Sequence, residues 1–383
     1  MKSIMVRFTA LFLIFGCSCN FDNQTKELTI NPKHAINENF RLSDLVEEIT
    51  YIPLENKILF PGISRIALTD NYFFIGTREG ILAFNRHGGF LNKIGDHGRG
   101  PGEYRYSRNF AIDSINEIVY IFDSQKIIAY TFQGTFIKEY SIKKFEGFFS
   151  DITYSDGRIF LAGALLYGQP KYDWLIIDTT GRLITSKENF IPEFKTKFPD
   201  RGRFFNSNDN IYYWNNYNDT VFKINNNSYK PAYYFARGDF RKPHNNFPIE
   251  DYYKYFNPFN LIRLNDITVF SFFFNNYLHL SLINNDALYI IDKSIESTHI
   301  DLPVIYNDLD CGPGFHPLFS FSENEEEYLV TWLYAYQIKS HIESEAFKNS
   351  TPKYPKKKKQ LEKLAASLDE NDNPVLMLVK LKD

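Results

Sequence analysis

Cysteine, methionine and tryptophan each occur only three times in 383 residues. Two of the cysteines, Cys17 and Cys19, lie close to the N-terminus, which leaves Cys311 alone in the body of the chain. A lone thiol cannot close an internal disulfide, so a cross-linked scaffold is excluded there. Charge of one sign is scarce too: 43 Lys and Arg stand against 46 Asp and Glu, a formal net charge of −3. No global basic field exists to draw the chain to nucleic acid. The eight histidines show neither His-Glu-x-x-His nor a Cys-His ligand spacing, and no Asp-x-Asp-x-Asp-Gly loop is present. A dedicated zinc site and an EF-hand-like calcium site are therefore not expected. A Gly-x-Ser-x-Gly elbow is also missing. No cofactor is expected, although an ion shared by distant segments would leave no local motif.

Long apolar runs are equally rare. Phe8 to Phe15, preceded by Lys2 and Arg7, is too short to span a bilayer but suits the core of a secretory signal. It ends at Ile14-Phe15-Gly16-Cys17, which resembles a bacterial lipobox. Residues 1–16 then read as a lipoprotein signal peptide, with Cys17 as the lipidated residue and Cys19 as the alternative. Residues 17–39 are polar and Asn-rich and read as a flexible tether to the membrane.

What the chain has in abundance is aromatic side chains, 37 Phe and 26 Tyr, and one repeated phrase. Two apolar residues, a polar one, two variable ones and a turn residue recur at Ala83 to Gly88, Ala129 to Gly134, Ile176 to Gly181 and, more faintly, Lys223 to Ser228. The period is about 47 residues, the mark of an array of equal supersecondary units. Glycine at the turn supplies the positive φ of a tight hairpin, and two further strand-like runs precede each phrase. Four short antiparallel strands per repeat make a propeller blade.

Four blades fit residues 63–95, 108–142, 148–187 and 203–236. The phase then slips, and Arg237 to Leu261 reads as an insertion with a short helix opened by Pro248. A fifth blade is expected from Ile267–Phe274, Leu278–Ile283, Leu288–Ile291 and Thr298–Leu302, with the next turn phrase at Ile290 to Ile295. Leu318–Phe321, Tyr328–Tyr336 and Val375–Leu381 supply three strands of a sixth blade, and Ile49–Leu54 supplies the fourth. Pairing of the two chain ends closes the ring, and Pro53 suits its outer edge. Between those strands residues 342–373 hold a helical insertion, amphipathic at Gln360 to Ala366. The expectation is an all-β, six-bladed β-propeller over residues 40–383.

The stretch Gly95-Asp96-His97-Gly98-Arg99-Gly100-Pro101-Gly102-Glu103-Tyr104, with Glu48 to Glu55 and Asn373 to Leu376, resembles the six-bladed propeller lipoproteins of Bacteroidetes, akin to NHL-repeat and TolB-like propellers. The resemblance implies an exported, lipid-anchored protein of the cell envelope and settles no activity. The glycine-rich stretch lacks the Lys-Ser or Lys-Thr and the following helix of a phosphate-binding loop. It reads as a crossing between blades one and two, shaped by its glycines and Pro101, or as a channel rim where His97, Arg99, Glu103 and Tyr104 touch a ligand. Trp174, Trp214 and Trp332 read as core residues or as a sugar-stacking platform. Lys356 to Lys359 reads as a solvated helix start or a contact with anionic lipid.

Three classes of function follow, the last of them a subunit of an envelope assembly. The first is a monomeric, non-catalytic binding or scaffold module for a glycan, a peptide or an envelope protein. The alternative is a carbohydrate- or lactone-processing enzyme with its site at the propeller axis.

Overall fold

The computed structural model describes residues 40–382, apart from short internal stretches at 166–170, 192–193, 195–196, 199, 208–209, 226–227, 236–237, 265–266, 285–286, 296–300 and 324–325. The expected signal peptide, both N-terminal cysteines and the tether lie outside the described residues.

The repeated phrase forms the same turn each time. Gly88, Gly134 and Gly181 have φ of 83°, 84° and 84°, a region that suits glycine and strains other residues. Each glycine N–H donates to the carbonyl three residues before it: Asn85 at 3.0 Å, Thr131 at 2.9 Å and Asp178 at 2.9 Å. The hairpins so fixed join the third and outer strands of three consecutive blades. Blade one is Arg65–Leu68, Tyr72–Thr77, Gly80–Asn85 and Phe90–Ile94; blade two is Phe110–Asp113, Ile118–Asp123, Lys126–Thr131 and Phe136–Ser141. Blade three is Phe149–Ser155, Arg158–Leu165, Tyr172–Asp178 and Leu183–Glu188, with Asp200–Arg201 added beside its second strand. Blade four is Arg203–Ser207, Asn210–Trp214, Thr220–Asn225 and Ser228–Tyr234.

The middle strands lack polar alternation for a physical reason. Phe73 to Thr77 and Gly80 to Phe84 are buried throughout, because each blade is covered on both faces by its neighbours. Outer strands such as Phe136–Ser141 remain largely exposed. Apolar cores fill each of the six gaps between blades, from one and two, two and three, three and four, four and five and five and six to six and one. The ring is closed.

Blade five corrects the expected phase. Its strands are Asn257–Leu264, Ile267–Phe274, Tyr277–Asn284 and Ala287–Ser294, so each expected strand moves one place outward. Ile290 and Ile291 pair along the outer strand with Ser281 and Leu280 instead of opening a turn. Of the expected Thr298–Leu302, residues 298–300 lie outside the described residues, and Asp301 and Leu302 are not in a strand. The inner strand was hidden in the expected insertion by Asn257, Pro258 and Asn260, poor strand formers, and the ladder bulges between Pro258 and Asn260. Helical structure there includes a 3-10 turn at Ile249–Asp251, directly after Pro248.

Blade six joins the two ends of the described chain. Its order is Val46–Pro53, Val375–Leu381, Glu326–Leu333, Phe319–Glu323, with Pro53 opposite Val375 on the outermost strand. The expected strand ending at Tyr336 stops at Leu333, since Ala335 already begins a helix. Helices α1 (Leu42–Leu45), α2 (Ala335–Glu343), α3 (Glu345–Lys348) and α4 (Pro355–Ser367) surround this blade. Leu361 and Ala365 of α4 are buried with Ala335, Ile338 and Phe347, which is the amphipathic face expected. Of the four lysines at its start, Lys357 donates to the Ile49 carbonyl at 2.9 Å and Lys358 to those of Phe347 at 2.7 Å and Ser350 at 2.9 Å. Lys357 thereby covers part of the open edge of the outermost strand.

Candidate functional site

Each blade-to-blade crossing delivers the chain to the start of the next inner strand, and several of those starts are polar. Ser64-Arg65, Arg108-Asn109, Ser150-Asp151, Arg203, Asn260 and Ser320 come from six different blades and, with Arg201, line one axial space of about 390 Å³. That volume lies at the small end of the range for small-molecule sites, roughly 300–1,000 Å³. Phe204, Phe259 and Phe319 contribute apolar wall.

The lining is held by specific bonds. Arg65 donates to the Asp151 carboxylate at 2.6 Å and to the Ile152 carbonyl at 2.9 Å. Asp151 also accepts from the N–H groups of Ile152 at 2.8 Å and Phe204 at 3.1 Å. Arg203 donates to the Phe259 carbonyl. Ser150 donates to the Gly202 carbonyl at 2.9 Å, and a Cβ on Gly202 would stand 2.5 Å from the Tyr213 hydroxyl. That close approach fixes where Arg201 and Arg203 leave the backbone. Asn260 ties the fifth inner strand to the sixth through the Pro317 carbonyl at 3.1 Å. Among the described residues lining the space, Asp151 is the one carboxylate, beside four arginines, Arg65, Arg108, Arg201 and Arg203.

Behind this wall His316 stacks parallel to Phe259 at 6.5 Å. Its Nδ1 lies 2.6 Å from the Pro303 carbonyl and its Nε2 3.4 Å from Ser271 Oγ, so Nδ1 carries the proton. Burial pushes its pKa down to about 4, because a charged imidazolium would lose its hydration there.

The glycine-rich crossing sits elsewhere, over the strands of blades one and two. Tyr104 is fully buried; its hydroxyl donates to the Ile94 carbonyl at 2.8 Å and accepts from the Ile81 N–H at 3.0 Å. Burial raises its pKa well above the usual phenol range. Glu103 accepts from the Gly100 N–H at 2.8 Å, and no ion pair joins it to Arg99 among the described residues. His97 meets Tyr104 edge to face at 5.2 Å, while His97 and Arg99 are exposed. Gly102 N–H donates to Glu139, itself paired with Lys126 at 2.9 Å. None of the four candidate residues belongs to the axial lining. The tryptophans do not form a common platform: Trp174, Trp214 and Trp332 belong to three separate inter-blade cores.

The axial arginines escaped sequence reading because Arg65, Arg108 and the pair Arg201 and Arg203 lie in distant stretches of chain that share no motif. One signal was present: an arginine within two residues of the inner-strand start in blades one, two and four.

On the opposite face a second cleft runs beside Asp70, Arg86 and Glu323. Its arginine is engaged internally. Arg86 pairs with Glu323 at 2.9 Å, donates to the Thr69 carbonyl at 3.1 Å and lies over the rings of Phe73 and Phe321.

Comparison with known proteins agrees with this architecture. The chain is similar in structure to a Bacteroides fragilis NCTC 9343 protein named as exported, with a TM-score of 0.67 and 18% identity over 91% of this chain and 98% of the other. Weaker similarity reaches a protein of unknown function from Bacteroides thetaiotaomicron VPI-5482, at TM-score 0.44 and 11% identity over 87% of this chain and 75% of the other. The extracellular domain of a one-component system of B. thetaiotaomicron gives 0.39 and 11% over 74% and 39%. No curated protein matches the sequence. A family model does, over residues 27–380, and with that extent the chain belongs to the DUF4934 family, a domain of unknown function.

Proposed function

We propose that this propeller is an exported binding module, anchored in the cell envelope through lipid on Cys17, or Cys19 as the alternative, and that it holds a glycan, peptide or envelope partner at the axial mouth. The axial space carries the reading: all six inner strands line it, and its polar groups come from parts of the chain that only folding unites. Export is supported by the similarity to the exported B. fragilis protein and by the signal-like residues 1–16. NHL-like or TolB-like ancestry belongs to the same proposal. His97 and Arg99, exposed on the segment that leads into Arg108, serve as outer contacts for a ligand that extends over the crossing.

Two experiments test this. Cys17→Ala should abolish acyl labelling of the mature protein while Cys19→Ala leaves it; the reverse moves the anchor by two residues, and labelling of neither ends the lipoprotein reading. For the site, Ser320→Trp fills the axial space and should remove every ligand that a thermal-shift panel of sugars, peptides and organic acids detects. Retained binding in that variant would move the site away from the axis.

A further inference from the structure

We propose that the axial channel takes a small ligand by an anionic group, a carboxylate, sulfate or phosphate, held among Arg65, Arg108 and Arg203. This rests on the reading of the channel as the binding site and adds the ligand's chemical class.

The charge inventory carries the inference. Three arginines from three separate stretches of chain, Arg65, Arg108 and Arg203, line one space of about 390 Å³. The single carboxylate beside them, Asp151, is already engaged by Arg65 and by two backbone N–H groups, so it is not available to neutralise Arg108 and Arg203. Arg65 and Arg203 are fixed in place by the carbonyls of Ile152 and Phe259. The guanidinium of Arg108 is exposed and makes no ion pair or hydrogen bond among the described residues. A concave site lined by one sign of charge with low-dielectric walls concentrates field and counter-ion. The planar fork of arginine matches the paired oxygens of carboxylate, sulfate and phosphate.

The other cleft provides the contrast. There Arg86, the one cation of the described lining, pairs with Glu323 at 2.9 Å and is satisfied within the protein. The axial lining, by contrast, holds more arginine than carboxylate among the described residues. A space of about 390 Å³ holds a small molecule or the charged end of a larger one.

The test is titration of the full protein in detergent with sodium glucuronate, inorganic sulfate, glucose and an acidic hexapeptide at constant ionic strength, followed by melting temperature and calorimetry. Glucuronate and sulfate should bind, and glucose should bind at least tenfold more weakly than glucuronate. Arg108→Gln should weaken glucuronate at least tenfold without changing the melting temperature of the free protein, and Arg108→Lys should recover part of the loss. Response to glucuronate but not sulfate assigns an organic acid, and response to both assigns the oxyanion itself; either outcome supports the proposal. Glucose binding as tightly as glucuronate, with Arg108→Gln neutral, would overturn the anionic class while leaving the channel as the site. Binding of the peptide alone, or of no anion, also overturns the proposal. Anion binding that survives in Ser320→Trp would overturn the channel reading itself.

Discussion

The glycine-rich crossing at residues 95–104 and the axial channel are opposites in how sequence encodes them. The crossing is contiguous and conspicuous, yet its bonds are directed inward: Tyr104 closes on Ile81 and Ile94, and Glu103 on Gly100. The channel has no motif, yet it collects polar side chains from six blades. Density of unusual residues marks backbone constraint in the first region. In the second, what matters is convergence, and convergence has no linear signature.

The largest expected effect tests assembly from distant segments. Removing residues 40–56 deletes the outermost strand of blade six, exposes the Val375–Leu381 edge and should produce aggregate on size-exclusion chromatography. A truncated chain beginning at Pro61 that remains monomeric with an unchanged melting temperature would break the comparison, because the distant pairing would then contribute nothing.

Next comes the local region. Tyr104→Ala should cost about 4 kcal/mol in chemical denaturation, through the lost aromatic volume and the two backbone groups left unpaired. Tyr104→Phe keeps the ring and should cost about 1–3 kcal/mol. Equal, near-zero effects would mean that the crossing is not structural, and would return Tyr104 to consideration as a ligand contact.

Acid should act on the wall behind the channel. His316 has its folded pKa lowered to about 4 from an unfolded value near 6.5. Between those values the unfolded chain binds the proton and the folded one does not, so the stabilisation is complete above about pH 6.5 and is lost as pH falls toward 4. The loss attributable to this residue should reach about 3 kcal/mol. His316→Gln should flatten the slope of stability against pH in that window, and an unchanged slope would place the titration elsewhere.

The smallest effect sharpens the contrast. Arg108 is exposed and makes no bond among the described residues, so Arg108→Gln should change the stability of the free protein by no more than about 0.5 kcal/mol. A stability loss near that of Tyr104→Phe would make Arg108 a structural residue like those of the crossing.

Much of the fold was legible because it repeats. The turn glycines at 88, 134 and 181 need positive φ, and the apolar runs between them mark strands that neighbouring blades cover on both faces. The pairing of the chain ends was legible as well, since Ile49 to Leu54 and Val375 to Leu381 each lacked a local partner. Blade five was not, because Asn257, Pro258 and Asn260 obey the needs of the axis and the bulge rather than strand propensity. The start of the helix at Ala335 was read as the end of a strand, since Ala335 and Tyr336 continue the apolar run of Glu326–Leu333.

The sequence by itself determined the blade, its period and the closure of the ring, because each is enforced by local turn chemistry and by apolar strands that must be covered. Only the tertiary structure decided the axis. The positions of Arg65, Arg108, Arg201 and Arg203 around one space depend on the angle through which each blade turns from the last, and that angle is set by the packing of six apolar cores rather than by any residue at the mouth.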